Sequence, residues 1–420
     1  MRRTSVVELV VDKGSEERLR PLCSLSSKLW NEVSYARRRM FFEKRGVDLK
    51  ATYKEYYEKY KALIGSATAQ QILNKNDDAW RGFFKLLKLK REGKLPPFIT
   101  GVNPPGYRKK NDKRALWAVL RKDQYRVEGD EIVLKGLGAI GRIELRYRGL
   151  IHLKGERGRL EIHYDQDRRK WYAYISFEVS GKAVRGVWAS IPRKPRGNLA
   201  AGIDIGINNL MAVYVENGLV KLVNGRPLKA MSHYWRVRIA EHQSALSKYG
   251  LKTSRRLRSM HSRWRGQVKA YVDSRVRQAV EWLHSVGVSV IKVGYPKYIA
   301  QEKGNFNNVH VWTYGYLLRR IHEVAEEYGI TAVYVDEVYT SSKCPIHGEG
   351  CGERIKRGLF KCAKSGKALN ADLVGAFNIL ITPSPVWDRG NGLEAQPGIE
   401  PSGGGDVVPN LPALAGTLAL

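Results

Sequence analysis

The spacing of apolar residues divides the first half of the chain into one strand, a helical stretch and a series of further strands. The apolar-rich run Ser5–Val11 predicts a strand, and from about Ser15 to Lys90 apolar residues recur every three to four positions, which predicts helices. Short runs between turn residues then predict strands at Glu131–Lys135, Arg142–Arg148, Arg159–Tyr164 and Trp171–Val179. We expect Ser5–Val11 to join these strands in a small antiparallel barrel or sandwich, with the helices inserted between them.

The helical stretch divides into three helices, of which the third starts at Ser66. The second helix carries a stripe of tyrosines at Tyr53, Tyr56, Tyr57 and Tyr60. Such a stripe either packs in a core or stacks on nucleic-acid bases, and core packing is the more common use.

Beyond a basic, Pro/Gly-containing linker at Pro192–Gly197, strands and helices alternate. The predicted strands are a first one around Asp204, a hairpin of Met211–Val215 and Gly218–Val223, and later strands at Val288–Val293 and Thr331–Val335. The predicted helices are a long pair within Pro227–Val286, an amphipathic helix at Trp312–Tyr328 and a last helix at Asn370–Leu380. Alternation of this kind is typical of an α/β layer with a mixed sheet.

The net charge of the chain indicates that the protein binds a polyanion. The 420 residues carry a net charge of +32 together with 43% hydrophobic residues, which indicates a folded basic protein. Nucleic acid is the leading partner, and an anionic membrane surface is the weaker alternative. No run of about 18 uninterrupted apolar residues is present, so we expect a soluble protein in the prokaryotic cytoplasm, associated with the nucleoid.

Basic residues are concentrated in a few runs on the predicted helices. We expect these runs to contact the nucleic-acid backbone, although a solvated charged face is the ordinary alternative. The span from Lys252 to Arg277 holds nine Lys or Arg residues and one acid, Asp273. The candidate contact residues are Arg37, Arg38, Arg39, Lys85, Lys88, Arg255, Arg256, Arg258, Arg263 and Arg265.

Three carboxylates have positions suited to metal-dependent chemistry. Asp204 lies in a short apolar strand with a glycine two residues away on either side, Glu337 follows a later strand, and Asp372 opens the last helix. Carboxylates from separate elements hold two Mg²⁺ ions about 4 Å apart in two-metal phosphodiester hydrolysis. The alternative for Asp204 alone is a glycine-flanked residue at a strand end or tight turn.

A second metal site is indicated by three of the four cysteines. Cys344, His347, Cys351 and Cys362 supply the Cys₃His ligand set of a tetrahedral structural zinc site. Clustering of this kind is unlike a disulfide framework and points to a reducing compartment. Cys23 is left over, and we expect it to be a core thiol.

Three segments carry a more specific pattern. They are Gly202-Ile203-Asp204-Ile205-Gly206-Ile207-Asn208-Asn209, then Tyr339-Thr340-Ser341, and then Asn370-Ala371-Asp372 leading into Gly375-Ala376-Phe377-Asn378-Ile379. In these segments the chain resembles the TnpB/OrfB family of insertion-sequence RNA-guided nucleases, relatives of the compact type V CRISPR effectors. The resemblance covers Gly197–Leu380 by motif and the front half by layout.

This resemblance implies a RuvC-like nuclease domain of RNase H fold with an inserted zinc ribbon, preceded by a wedge β-barrel that holds a helical recognition lobe. It implies a transposon-derived guide RNA and Mg²⁺-dependent cleavage of double-stranded DNA next to a short target-adjacent motif. Asp204 and Asp372 would be catalytic metal ligands, with Glu337 as the third. The expected boundaries are 1–14 for the first barrel strand, 15–95 for the helical lobe, 96–190 for the barrel, 191–196 for the linker, 197–340 for the first part of the nuclease domain, 341–366 for the ribbon, 367–381 for the last nuclease helix and 382–420 for a disordered tail.

One departure from the family pattern leaves an alternative open. The family's middle glutamate ends the strand at Val293, where this chain has Gly294-Tyr295-Pro296 and no acid. Because neighbouring strand residues face opposite ways, only one of Asp336 and Glu337 can replace it, and Glu337 is favoured. If neither reaches the site, the protein is a catalytically inactive RNA-guided DNA-binding regulator.

Other readings of the same residues are weaker. A compact type V CRISPR effector shares the scaffold, and the sequence does not distinguish it from a transposon nuclease. A sugar kinase or ATPase of RNase H fold would have no use for the zinc ribbon or the charge. Monomer and homodimer both remain open.

Overall fold

The computed structural model describes residues 1–95, 99, 101–110, 113–184, 186–295, 314–336, 343–348, 351–356 and 358–383. The chain divides into two compact units, Met1–Ser190 and Ile191–Leu420.

The first unit is built on a nearly closed antiparallel barrel. Its strands are β1 (Arg2–Val10), β2 (Lys109–Lys110), β3 (Lys113–Arg114), β4 (Trp117–Leu120), β5 (Tyr125–Glu128), β6 (Glu131–Leu134), β7 (Ile143–Arg148), β8 (Leu153–Asp165), β9 (Lys170–Val184) and β10 (Val187–Ser190). The sheet runs β4-β8-β9-β1-β7-β6-β5, with β10 paired to β9. The first strand therefore joins the barrel sheet, as predicted, and it lies in the middle of the strand order.

Three helices are inserted between β1 and the rest of the barrel, namely α1 (Lys13–Phe42), α2 (Leu49–Ile64) and α3 (Ser66–Arg91). The side chain of Asp12 caps α1 by accepting from the backbone N–H of Ser15 at 3.0 Å. Gly65 separates α2 from α3 at φ +86°, and a Cβ there would overlap the carbonyl of Gly136, so the turn needs glycine. The start of α3 at Ser66 agrees with the sequence prediction.

Arg37 corrects one prediction, because it is buried inside the helical lobe and is not placed to contact nucleic acid. Its side chain is fully buried and forms an ion pair with Asp77 at 2.6 Å. It also donates to Thr52 Oγ1 at 2.9 Å and to Asn76 Oδ1 at 2.7 Å. Successive helix residues point about 100° apart, so a run of three arginines on a packed helix turns one of them inward.

The other two arginines of this run point elsewhere. Arg38 is half-buried and donates to the carbonyls of Pro104 and Pro105, and Arg39 is exposed and pairs with Glu43 at 3.0 Å. Of the tyrosine stripe, Tyr60 is buried and the other three are partly exposed, so core packing accounts for one of the four rings.

The second unit is an α/β layer. Its elements are β11 (Leu199–Asp204), β12 (Asn209–Val215), β13 (Val220–Asn224), α4 (Arg226–Ser247), α5 (Arg255–Ser285), β14 (Val288–Tyr295), α6 (Tyr314–Glu327), β15 (Thr331–Asp336), β16 (Gly352–Lys356), β17 (Leu359–Cys362), β18 (Ala368–Asn370) and α7 (Ala371–Ile381). The main sheet runs β13-β12-β11-β14-β15. β11, β14 and β15 are parallel, and β12 and β13 are antiparallel to their neighbours. This is the expected RNase H-like sheet.

The last helix, α7, packs unusually close to the central strand. A Cβ at Gly202 of β11 would overlap the carbonyl oxygen of Ala376, and a Cβ at Gly375 of α7 would lie 2.7 Å from Asp204 Oδ2. Phe377 packs edge-to-face on Tyr214 of β12, with ring centroids 5.2 Å apart. Two glycines thus allow the helix backbone to rest directly on the strand.

A small three-stranded sheet, β16-β17-β18, leads into α7. Its Phe360 and Leu369 are fully buried and share one hydrophobic cluster with Val374 and Phe377 of the helix. Asn378 of α7 also donates to the carbonyl of Lys343 at 2.9 Å, at the start of the cysteine segment. The ribbon and the last helix therefore pack as one body.

No helix among the described residues is both long and apolar enough to cross a membrane. The predicted disordered tail falls outside the described residues from position 384 onward.

Candidate active site and metal centre

Asp204 and Asp372 come together although 167 residues separate them in the chain. Asp204 is the last residue of β11, and Asp372 is the second residue of α7. Gly375 lies one turn after Asp372 on the same helix face, and Asp204 Oδ2 approaches it at the point where a Cβ would stand. The close contact of α7 with β11 thus brings the two carboxylates into one site.

Asp372 is held in place by two asparagines. The side chain of Asn370 caps α7 by accepting from the N–H groups of Asp372 and Leu373 at 3.0 and 3.2 Å. Asn209, the first residue of β12, donates its Nδ2 to Asp372 Oδ2 at 2.8 Å. The first bond fixes the helix end, and the second fixes the orientation of the carboxylate.

Arg354 approaches the same carboxylate from the ribbon. Its Nη2 lies 3.5 Å from Asp372 Oδ1 and 3.4 Å from the carbonyl oxygen of Ala371. The side chain of Arg354 is 42% exposed, so the guanidinium borders the site and remains open to solvent. A basic residue of the ribbon therefore lies beside the two carboxylates.

The electrostatic environment of Asp204 and Asp372 favours the binding of a cation. Burial and the neighbouring Asp372 carboxylate raise the pKa of Asp204 to about 7, and the charge of Arg354 opposes this rise only in part. A cation bound beside Asp204 would favour the ionised form of its carboxylate.

The residues present fit a divalent cation. The two half-buried carboxylates lie close enough to interact electrostatically, and among the described residues the Asp372 carboxylate contacts Asn209 and, at a long 3.5 Å, Arg354. Oxygen ligands of this kind, completed by water, are what Mg²⁺ prefers. Asp204 and Asp372 are therefore able to hold Mg²⁺.

The predicted third carboxylate, Glu337, lies outside the described residues, and its role stays a prediction. The backbone is described up to Asp336, which ends β15 and is level with Tyr295, the last residue of β14. Neither Gly294 nor Tyr295 supplies an acid at the end of β14.

The cysteine segment does bring its four predicted ligands together. One ligand atom from each of Cys344, His347, Cys351 and Cys362 lies within 4.8 Å of all the others. A tetrahedral zinc with Zn–S bonds of about 2.3 Å places its ligand atoms about 3.8 Å apart, so these four positions fit with small adjustments.

The thiols of this cluster differ in acidity. Although burial opposes it, hydrogen bonds from Ser365 and His347 lower the pKa of Cys362 to about 6. Burial and the adjacent Cys344 raise the pKa of Cys351 to about 11. One thiolate is thus favoured before a metal binds, and a cation would favour the rest.

The predicted nucleic-acid contact residues divide by exposure. Arg37 is buried, and Arg38 and Arg258 are half-buried. The exposed ones are Arg39, Lys85, Lys88, Arg255, Arg256, Arg263 and Arg265. Exposure is required for such a contact, and their role in binding stays a prediction.

Two site residues were missed by the sequence reasoning. Asn209 stands within the glycine-rich segment and five residues after Asp204, but its contact with Asp372 depends on the packing of α7. Arg354 is one of several basic residues in the cysteine loop. Its spacing of 18 residues before Asp372 carries no periodic signal, because the ribbon strands fold it back.

Comparison with known proteins gives two family matches. The family model OrfB_IS605, described as a probable transposase, matches residues 174–300. The model described as the Cas12f1-like TNB domain matches residues 314–379, which include the cysteine cluster and Asp372. The two matched regions contain Asp204, Glu337 and Asp372 between them.

Solved structures resemble this chain in fold at low identity. A Cas12f1–sgRNA–target DNA complex aligns with a TM-score of 0.59 and 14% identity, covering 88% of this chain and 83% of that one. The mini-RNA-guided endonuclease CRISPR-Cas_phi3 aligns with a TM-score of 0.50 and 11% identity, covering 90% and 92% of the two chains.

Curated relatives extend the likeness to sequence. The CRISPR-associated endodeoxyribonuclease Cas12f1 of Sulfoacidibacillus thermotolerans is 42% identical over 71 residues, 17% of each chain. The TnpB-like protein ORF457 of Acidianus two-tailed virus is 40% identical over 400 residues, which cover 90% of this chain and 86% of the relative. With this likeness over nearly its whole length, the chain belongs to the TnpB-like family, whose members fall in the class of RNA-guided nucleases.

Proposed function

We propose that the protein is an RNA-guided, Mg²⁺-dependent endodeoxyribonuclease that cleaves double-stranded DNA beside a short target-adjacent motif. The observation that carries this proposal is the meeting of Asp204 and Asp372 beside Arg354. Carboxylates from a strand end and a helix start, with a cationic side chain next to them, suit a phosphodiester substrate.

The proposed metal ligands are Asp204, Asp372 and Glu337. When bound, a pair of Mg²⁺ ions would supply an activated water and stabilise the charge on the phosphate and the leaving 3′ oxygen. Asn209 orients Asp372 through the bond to Oδ2. The exposed guanidinium of Arg354 is placed to contact the non-bridging oxygens of the scissile phosphate.

The strand register favours Glu337 over Asp336 as the third carboxylate. Ile203 of β11 is level with Val293 of β14, which is level with Tyr334 of β15. One residue further, Asp204 falls in the row of Val335. Side chains in one row share a face, and the side chain two residues after Val335 would return to that face if the alternation of β15 continued.

We propose that the Cys₃His cluster holds structural zinc. Its four ligand atoms lie within 4.8 Å of one another, and the cluster shares a hydrophobic core with α7. Zinc there would fix the ribbon, and through it the position of Asp372.

Guide RNA and target DNA are the proposed partners. The solved structure of similar fold, a Cas12f1–sgRNA–target DNA complex, contains both nucleic acids, and the net charge of +32 suits them. In RNA-guided effectors base pairing reads the sequence, and the protein reads the shape of the duplex and a short adjacent motif.

The test is cleavage by protein co-expressed with the flanking DNA from which its guide would be transcribed. The copurifying RNA is sequenced, and a plasmid library with a matched target and randomised flanks is then incubated with the complex and Mg²⁺. Cleavage that is lost in Asp204→Asn and Glu337→Gln but kept in Asp336→Asn supports the proposal. A parent protein that binds a discrete RNA and the target without cutting would contradict it.

That last outcome would instead support an RNA-guided DNA-binding regulator without nuclease activity. The observation that favours this second candidate is the end of β14, where Gly294 and Tyr295 provide no acid. In that case Glu337→Gln would leave target binding unchanged, and reporter repression at a matched site would be the measurable activity.

A further inference from the structure

The α4–α5 hairpin carries a groove that the catalytic proposal does not use. The two helices pack through Trp235, Ile239 and Leu257, and the groove beside this contact has a volume of about 770 Å³. Arg238 of α4 and three arginines of α5 line it, together with Tyr234 and His242. The three arginines of α5 are Arg255, Arg256 and Arg263.

Among the described residues, few acids balance the positive charge around this groove. The hairpin from residue 226 to 285 holds fourteen Lys or Arg residues and three acids. Two of these acids lie toward the other end of α5 and are engaged, Asp273 with Arg320 at 2.9 Å and Glu281 with the hydroxyl of Tyr328 at 2.8 Å.

The third acid, Glu241, lines the groove at 3.9 Å from Arg238. Within the described part of the chain, the side chains of Arg255, Arg256 and Arg263 have no hydrogen-bonded or ion-paired partner. Arginines gathered around one groove repel each other, and a polyanion in the groove would relieve that repulsion.

An aromatic ring lies beside these arginines. Tyr234 is 57% exposed, and its ring packs edge-to-face on Trp235 with centroids 5.5 Å apart. Trp235 is itself anchored, because its Nε1 donates to Gln267 Oε1 at 2.6 Å. The ring of Tyr234 is therefore held in place with much of its surface open to solvent.

We propose that this groove binds an unpaired stretch of nucleic acid, with backbone phosphates on Arg256 and Arg263 and a base stacked on Tyr234. A basic groove beside an aromatic ring is the arrangement that binds single strands, and a base inside a duplex does not offer its face to a side chain. The inference rests on the proposed function only in requiring that the chain bind nucleic acid.

The test measures the affinity of the full chain, freed of copurifying RNA at high salt, for fluorescent 20-nucleotide oligo-U, oligo-dT and a 20-base-pair duplex without added Mg²⁺. Tyr234→Ala should weaken binding of a single strand about 5- to 100-fold, and Tyr234→Phe should retain it, because stacking needs the ring and not the hydroxyl. Duplex affinity should change less than twofold in both variants.

The arginines are tested by charge-matched pairs on one hairpin. Arg256→Gln with Arg263→Gln should weaken single-strand binding tenfold or more and lower the slope of log affinity against log salt by about 1.4, since each phosphate contact contributes about 0.7. Lys252→Gln with Lys269→Gln removes the same charge from exposed positions outside the groove, and its effect should stay below threefold.

The outcomes separate this inference from the proposed function. Equal effects of the two charge pairs, or an unchanged affinity in Tyr234→Ala with unchanged thermal unfolding, would overturn the groove while leaving nucleic-acid binding intact. A parent protein that binds none of the three probes would count against the proposed function as well. Preference for oligo-U over oligo-dT identifies the strand as RNA, and the reverse identifies it as DNA.

Discussion

At the scale of single residues, the candidate active site brings two acids together, and the surroundings of one of them, Asp204, oppose its ionisation. Asp204 is half-buried, and Asp372 lies beside it with Asn209 and Arg354 as its polar neighbours. The sequence predicted that Asp204 lies on a strand and that Asp372 starts the last helix. The way each is held was not predictable, because Asn209 and Arg354 reach Asp372 only through the packing of separate elements.

The raised pKa of Asp204 predicts how stability depends on pH when no Mg²⁺ is added. The folded protein keeps the proton up to about pH 7 while the unfolded chain loses it near 3.8, so the free energy of unfolding should fall as pH rises between these values. Asp204→Asn removes the effect. Its free energy of unfolding should exceed that of the parent by an amount that grows from pH 5 to pH 8 and reaches on the order of 1–4 kcal/mol, and its melting temperature should be higher accordingly.

Differential scanning calorimetry of the two proteins at several pH values measures this difference. Added Mg²⁺ should raise the melting temperature of the parent at pH 8 and leave that of Asp204→Asn nearly unchanged. A difference between the two proteins that is constant with pH would contradict the assigned shift.

A second prediction at this scale concerns Asn209, which positions the carboxylate of Asp372. Asn209→Ala should raise the Mg²⁺ concentration for half-maximal cleavage about 10- to 100-fold, which is the usual cost of losing a group that orients a metal ligand. The neighbouring Asn208→Ala removes an exposed side chain and serves as the control. A lower rate at saturating Mg²⁺ with an unchanged midpoint would show that Asn209 acts otherwise.

At the scale of elements, the site depends on how closely α7 lies on β11. Gly202 and Gly375 permit this contact, and both were visible in the sequence as glycines beside the acids. Long periodic elements were also predictable, such as the α4–α5 pair and the start of α3. The strand Trp117–Leu120 was not predicted, because all four of its residues are buried and the run lacks alternation.

The burial of Arg37 shows the converse limit. Its place in a run of three arginines suggested a surface role, but the direction that each side chain takes is set by the packing of α1 against α2 and α3. Charge identifies the element that binds a polyanion more reliably than the individual residue.

Gly375→Ala tests the helix–strand contact. A methyl group there would stand 2.7 Å from Asp204 Oδ2, so the helix or the carboxylate must shift. We expect a loss of stability of about 1–3 kcal/mol and loss of most cleavage. Gly266→Ala on α5, where a Cβ meets nothing within 4 Å, should instead be neutral or slightly stabilising.

The ribbon provides a further prediction at this scale. Cys351→Ser should reduce the zinc content of the purified protein from about one per chain to near zero, because structural sites of this type need all four ligands. Cleavage should fall along with it, since the ribbon shares a core with α7. Inductively coupled plasma mass spectrometry and the plasmid assay measure the two quantities, and full activity in a zinc-free protein would contradict the link.

At the scale of the whole molecule, the chain combines an excess of positive charge with a small number of well-placed acids. The order of its parts, a barrel with inserted helices followed by an RNase H-like layer with a ribbon, was predictable from the pattern of elements and the family resemblance. The cysteine cluster was predictable in full, because its ligands lie within nineteen residues of one another.

The prediction at this scale is that the C-terminal tail contributes little to cleavage. Residues 382–420 contain seven Gly and six Pro and no Lys, a composition that neither builds a core nor adds positive charge. Ending the chain after Pro383 should change target cleavage less than about threefold. A loss of activity with an unchanged melting temperature would instead assign the tail a role in binding or turnover.

The shared core of the ribbon and α7 has a practical consequence for shortening or inserting into this protein. Deleting the ribbon would remove the residues that pack against Val374 and Phe377 of α7. A shortened protein without the ribbon should therefore lose cleavage activity. The turn between α4 and α5 is exposed at Lys248, Tyr249 and Lys252. A domain inserted at this turn should leave the candidate active site intact.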